Sequence, residues 1–341
     1  MKLQRPSFGR VGYRGSAELC LVDSGVLASN PLGDPARREL SVYLPPGAED
    51  GRRLPVVFVL CGFTGRGQRY LEPHPWFRSV AQEFEQLVLD GTSQPAILVM
   101  PDCFTAFGGS QYVDSSATGA YETHLCEELV PLVDEHFPTL EGSRAVVGKS
   151  SGGFGALHLA MRRPGIFRAA ASISGDVDFE LCFGQEILGA MRGLAPFEMS
   201  PERFLTEFRR KPDLGGDGHA VINVLAMAAC YSPNPDSPLG FDLPMELDRG
   251  ERIAPVWERW LEFDPLRACE RFADALRTLD YLHLECGLRD EFNLQWGLRR
   301  LVARLQALDV PHTHEEHGGG HRGTDDRYRR LLPRLVDVLG G

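Results

Sequence analysis

The chemistry of this chain starts at a serine set between glycines. Gly148-Lys149-Ser150-Ser151-Gly152 follows the apolar run ending at Val147 and precedes a stretch of helical period. That is the strand, sharp turn, helix context of a nucleophile elbow. Glycines two before and two after Ser150 allow a tight turn to approach neighbouring backbone without a clashing Cβ, which exposes the hydroxyl. Ser151 is not the centre of the pattern, because position 149 is Lys. A serine hydroxyl is a weak nucleophile until a base takes its proton and a third group fixes that base. On a parallel α/β sheet the expected chain order is Ser, acid, His. Asp290, in the turn Cys286-Gly287-Leu288-Arg289-Asp290, is the expected acid, with Glu291 as the neighbour to weigh and helix capping as its alternative role. His321, after Gly318-Gly319-Gly320, is the expected base. The oxyanion of such a reaction needs N–H donors already in place. The expected donors are the backbone N–H of Phe63, in Cys61-Gly62-Phe63-Thr64-Gly65, and that of Ser151. Thr64 is the alternative to Phe63.

Three other features could carry chemistry. Tyr112, just after Gly108-Gly109-Ser110, is a candidate substrate contact or a packed loop aromatic. Asp176 could line the pocket or partner the base, although a capping or turn role fits its position after a strand. His312, His314, His317 and His321, with Glu315 and Glu316, are of metal-ligating type. On a strand, however, His312 and His314 share one face while Glu315 and His317 share the other. The reading is therefore metal-free, and the serine chemistry needs no cofactor.

These residues must be positioned by a scaffold. Short apolar runs at 40–44, 56–60, 97–100, 145–147, 169–174, 281–285 and 313–316 read as strands. They alternate with helix candidates at 76–89, 122–137, 155–161, 266–279, 295–308 and 327–338. Leu125, Leu129, Leu132 and Val133 give one of these helices a buried face. This alternation predicts an α/β fold, a mostly parallel sheet between helical layers. Residues 1–341 are expected to form a single domain, interrupted at about 180–262 by an inserted cap. Two Gly/Pro-rich segments there flank a helix near 220–229, and Met227 and Phe241 are expected to shape the pocket. With 36 basic against 47 acidic residues the net charge is −11, which disfavours nucleic acid and anionic lipid as partners. The first ten residues carry no apolar h-region, so no leader is expected, and no run is long enough to span a membrane. The 8 cysteines form no C-x-x-C pair. The expectation is a cytoplasmic protein with reduced thiols that acts on a small-molecule ester.

The chain resembles the putative-esterase family of α/β hydrolases, the group of S-formylglutathione hydrolase (esterase D), enterochelin esterases, feruloyl esterases and mycolyltransferases. The resemblance rests on Asn30 to Asp34, Val42 to Pro46, Leu60 to Thr64, Gly109 to Tyr112, the elbow at Ser150, Gly287 to Asp290 and Gly319 to His321. It implies an α/β-hydrolase fold and a triad of Ser150, Asp290 and His321. Cys61 departs from a frequent His before the oxyanion glycine, and Lys149 from a frequent His in the elbow. The implied activity is that of a serine carboxylic-ester hydrolase working through an acyl-enzyme. An acyltransferase or thioester hydrolase on the same machinery is the alternative. A silent fold used for binding is the rival of another class.

Overall fold

The computed structural model describes residues 12–74 and 76–340. Its centre is an eight-stranded sheet of β1 (Ser16–Asp23), β2 (Arg37–Leu44), β3 (Leu54–Leu60), β4 (Ile97–Pro101), β5 (Thr139–Lys149), β6 (Ala169–Ile173), β7 (Tyr281–Gly287) and β8 (Thr313–His317). The spatial order is β1-β2-β4-β3-β5-β6-β7-β8. Strand β2 runs antiparallel to both its neighbours, and all other pairings are parallel. Strands β3, β4 and β6 are buried along their whole length, as near-continuous apolar runs covered on both faces should be.

The period of two along each strand divides the core. Val56, Phe58, Leu60 and Val146 face one layer, with Phe154 and Leu157 of α3 (Ser151–Arg162). Val57, Val59, Ala145, Val147 and Ala171 face the other. There they meet Phe84 of α1 (Val80–Leu89) and Tyr328, Leu331 and Leu335 of α11 (Asp325–Gly340). The expected helix at 122–137 is present with Leu125, Leu129, Leu132 and Val133 buried. It passes through a π-helical turn, His124–Leu129, before α2 (Val130–His136).

Between β6 and β7 the chain leaves the sheet to form α4 (Phe179–Leu194), α5 (Pro201–Arg210), α6 (Gly218–Tyr231) and α7 (Ala254–Leu261). It returns through α8 (Pro265–Arg271) and α9 (Ala273–Arg277), where one helix at 266–279 was expected. Helix α6 is buried on every side from Ala220 to Tyr231. Met227 and Phe241, expected to shape the pocket, are core residues at 0% and 1% exposure. Most of α6 is therefore core, and at its N-terminal end His219 and Asn223 turn toward the cavity above Ser150.

Between β8 and α11 lies the loop that carries His321, and α10 (Leu294–Ala307) follows the turn that carries Asp290. Glu285 of β7 and Glu315 of β8 are directly paired in the sheet register, an arrangement that by itself is repulsive. The Arg327 guanidinium of α11 resolves it. It is bidentate to Glu285, at 2.8 Å to each oxygen, and reaches Glu315 at 2.7 Å. His283 adds a hydrogen bond to Glu285 at 3.1 Å. Burial alone would raise the Glu285 carboxyl, but Arg327 and then His283 outweigh it and hold it down at about 2.

Removing the cation leaves the buried Glu285 carboxylate unpaired beside the half-buried carboxylate of Glu315. Arg327→Met is therefore expected to cost about 3–5 kcal/mol of unfolding free energy at neutral pH, measured in urea. Because Glu285 is depressed in the folded state, its contribution is full above the unfolded value of roughly 4.3. It is lost as pH falls towards 2. The stability of the parent protein should therefore drop over that window more steeply than that of the variant. Equal stability and equal pH slopes would remove Arg327 as the clamp.

Candidate active site

Because β3, β5, β6, β7 and β8 are parallel, their C-terminal ends lie along one edge of the sheet. The loops leaving that edge bring together Gly62 and Phe63, Ser150, Asp176, Asp290 and His321, which is where open α/β sheets gather reactive groups. Ser150 sits between the last residue of β5 and the first of α3 with φ 56° and ψ −126°, a conformation that costs a residue with a Cβ on the order of 1–3 kcal/mol. Its N–H donates to the Ile173 carbonyl of β6 at 2.9 Å, which fixes the turn against the sheet. The flanking glycines are dictated by contact. A Cβ on Gly148 would lie 2.3 Å from the Gly152 carbonyl carbon, and one on Gly152 would lie 2.3 Å from the Leu60 oxygen.

Ser150 Oγ is 3.0 Å from His321 Nε2, and His321 Nδ1 is 2.8 Å from Asp290 Oδ2. A carboxylate can only accept, so Nδ1 carries the proton and Nε2 turns its lone pair to the serine hydroxyl. Burial pushes the Asp290 carboxyl up, but the His321 hydrogen bond and charge, with the Phe292 N–H at 3.0 Å, hold it below its ordinary value. Glu291 takes another part. Its carboxylate accepts the backbone N–H of His321 and so fixes the glycine loop rather than the imidazole.

A cavity of about 180 Å³ opens above Ser150, with Gly62, Phe63, Ser151, Asp176, Phe183 and Phe292 on its walls. The Phe63 ring meets His219 of α6 at 5.8 Å between centroids, His219 meets Phe292 at 6.2 Å, and Phe292 meets His321 at 4.7 Å. The rim holds Arg69, Lys149, Arg322 and Asp325. Burial pulls the Lys149 amine down from its ordinary value. Neither the Phe63 N–H nor the Ser151 N–H donates to another group among the described residues. A larger hollow of about 500 Å³, lined by Glu122, His158, Arg163 and Phe272, includes none of Ser150, Asp290 and His321.

Two of the sequence expectations change. Tyr112 is not a substrate contact: it is 4% exposed, packs against Gly155 and donates its hydroxyl to the Cys61 carbonyl at 2.7 Å, beneath the site rather than in it. Asp176 is not a helix cap. Asp264 accepts the first amides of α4, from Asp178 and Phe179, while Asp176 faces the cavity. The histidine-rich segment does not converge. His312 Nδ1 bonds the Val310 carbonyl, His317 Nδ1 accepts the Gly319 N–H, and His321 joins Asp290. Among the described residues, the group with metal-ligand spacing is His283, Glu285 and Glu315, whose carboxylates are already held by Arg327. Sequence alone does not point to the cavity wall supplied by Phe183, Glu186, His219 and Asn223, nor to the rim cations Arg69 and Arg322. No motif marks them, because they are scattered over two helices of the insert, a short helical turn and the loop after β8.

Residues 32–332 match the Esterase family, described as "Putative esterase", and the chain belongs to that family. It is 25% identical over 154 residues to S-formylglutathione hydrolase of Bos taurus, covering 43% of this chain and 54% of that protein. The match thus spans about half the length of this relative. The structure superimposes on an S-formylglutathione hydrolase from Agrobacterium tumefaciens with a TM-score of 0.61 at 18% identity, covering 100% of both chains. A ferulic acid esterase aligns with the same TM-score and identity, over 96% of this chain and 100% of that one. FphF, a fluorophosphonate-binding serine hydrolase of Staphylococcus aureus, aligns with a TM-score of 0.60 at 15% identity, over 95% of this chain and 99% of its own. The fold is that of an α/β hydrolase.

The contact at Gly152 generates a direct test of the elbow. Gly152→Ala forces a Cβ into the Leu60 carbonyl and is expected to destabilise the protein by about 1–3 kcal/mol in thermal or urea unfolding. It should also slow fluorophosphonate labelling of Ser150. Labelling and stability matching the parent protein would contradict the tight turn.

Proposed function

We propose that this chain is a serine carboxylic-ester hydrolase with Ser150, His321 and Asp290 as its catalytic residues. The observation that carries the reading is the hydrogen-bonded line from Asp290 through His321 to Ser150. Ser150 Oγ attacks the acyl carbon as its proton passes to His321 Nε2, and the buried Asp290 carboxylate stabilises the imidazolium that forms. The tetrahedral oxyanion is received by the Phe63 and Ser151 amides, which are unengaged among the described residues and border the cavity. His321 returns the proton to the departing alcohol. A water then enters, loses its proton to His321, attacks the acyl-enzyme and releases the acid as the serine regains its proton.

Membership of the esterase family supports the reaction class. The helical insert acts as a cap through α4 and α6, whose Phe183, Glu186, His219 and Asn223 border the cavity. A thioester passes through the same acyl-enzyme, with a thiol leaving in place of the alcohol. Among the described residues no helix is long and apolar enough to cross a membrane.

On 4-nitrophenyl acetate, Ser150→Ala is expected to lower kcat by roughly 10³-fold or more, and Asp290→Asn by a factor on the order of 10⁴. Ser151→Ala and Glu291→Gln should retain far more activity, because one contributes a backbone N–H and the other holds a loop. Dialysis against chelator should leave turnover intact. Asp290→Asn at parent-like rates, or inactivation by chelator restored on adding metal, would refute the assignment.

A further inference from the structure

Asp176 has no part in the proton transfers, yet it borders the same cavity as Ser150. It follows β6, is 7% exposed, and has no cationic partner within ion-pair distance among the described residues. An isolated buried carboxylate is costly and persists where something is arranged around it. Here the arrangement is specific. Gln111 Nε2 donates to Asp176 Oδ2 at 3.1 Å, and the Ser151 hydroxyl donates to the same oxygen at 3.4 Å. Oδ1 takes no hydrogen bond among the described residues, leaving an acceptor open to the cavity. Gln111 and Tyr112 are successive non-glycine residues with φ of 53° and 57°, and both are buried. This strained pair of residues sets the Gln111 amide under the carboxylate. Burial raises the Asp176 carboxyl to about 6.

The direction of the reaction assigns the side of the substrate. His321 must hand its proton to the departing alcohol, so the alcohol leaves past His321 and the rim at Arg322 and Asp325. The wall formed by Asp176, Cys182, Phe183 and Asn223 is left to the acyl group.

We propose that Asp176 is a specificity-determining residue whose Oδ1 accepts a hydrogen bond from an O–H or N–H on the acyl group. The preferred substrates are then esters of short acids that carry a hydroxyl or an ammonium close to the carbonyl. The inference rests on the serine-esterase reading above, and it assigns the substrate class of that same site.

The test compares the 4-nitrophenyl esters of propanoate, lactate and alanine, which differ only in H, OH and NH₃⁺ beside the carbonyl. Each kcat/KM is divided by the rate constant of that ester with hydroxide, to remove intrinsic reactivity. The parent enzyme should favour lactate, alanine or both over propanoate. Asp176→Asn keeps the volume. Because Gln111 and Ser151 both donate at the Oδ2 position, the new amide must put its oxygen there and its NH₂ where Oδ1 was. An acceptor becomes a donor, and the preference should fall roughly ten- to hundredfold, the worth of one hydrogen bond to a charged group. Loss confined to lactate identifies a hydroxyl as the group recognised, and loss confined to alanine identifies an ammonium. An unchanged preference, or an equal loss on all three esters, would overturn the inference and leave Asp176 a support for Ser151. Fluorophosphonate labelling of Ser150 in both proteins keeps the two readings apart. If the parent is neither labelled nor active on any of the three esters, the esterase reading itself fails.

Discussion

The structure turns on the strained conformation of one residue. With φ 56° Ser150 cannot relax into the strand behind it or the helix ahead of it, and its hydroxyl is held out at the end of β5. That strain persists because its surroundings over-determine it. The Ile173 carbonyl fixes the Ser150 amide, and the backbone at Gly152 packs against that at Gly148 and Leu60 at distances no Cβ allows. Everything else in the site is arranged around an oxygen whose position is set in this way.

The sheet then determines which groups can reach that oxygen. Parallel pairing of β5 through β8 puts the loops after β6, β7 and β8 beside the elbow, so residues far apart in the chain meet at hydrogen-bonding distance. The imidazole depends on two carboxylates with different tasks. Asp290 holds the ring, and Glu291 holds the backbone amide of the same histidine. Behind them, Arg327 ties α11 to the two strands from which the Asp290 and His321 loops emerge. An electrostatic clamp in the core and a glycine loop pinned by Glu291 thus work on one side chain.

The strands that form the centre were legible because they are continuous apolar runs, and the elbow was legible because glycine spacing is a steric demand. Asp290 and His321 could be picked out from their places after expected strands, and the structure brings both into line with Ser150. The failures have physical reasons. Strand β1, SAELCLVD, is an edge strand with a mixed pattern and offers no apolar run. Helices α4, α5 and α7 lie in the irregular insert, where glycine and proline masked their period. Met227 and Phe241 are apolar residues of an insert, and sequence does not distinguish those buried beneath it from those that face a pocket. The place of Tyr112 near a glycine turn suggests a substrate contact, and no pattern foretells that its hydroxyl is taken by the Cys61 carbonyl. The role of Asp176 needed three dimensions, since its environment comes from Gln111 and Ser151 on separate segments.

The central claim is that an acyl group passes through Ser150 Oγ. The most direct measurement is mass spectrometry of the protein quenched in acid during turnover of 4-nitrophenyl acetate, followed by peptide mapping. The account predicts one acetyl group per chain, carried on Ser150 as an ester that hydroxylamine removes and that decays at a rate matching turnover. Acetyl found instead as a stable amide on the adjacent Lys149, or continued turnover with Ser150 never acylated, would contradict it.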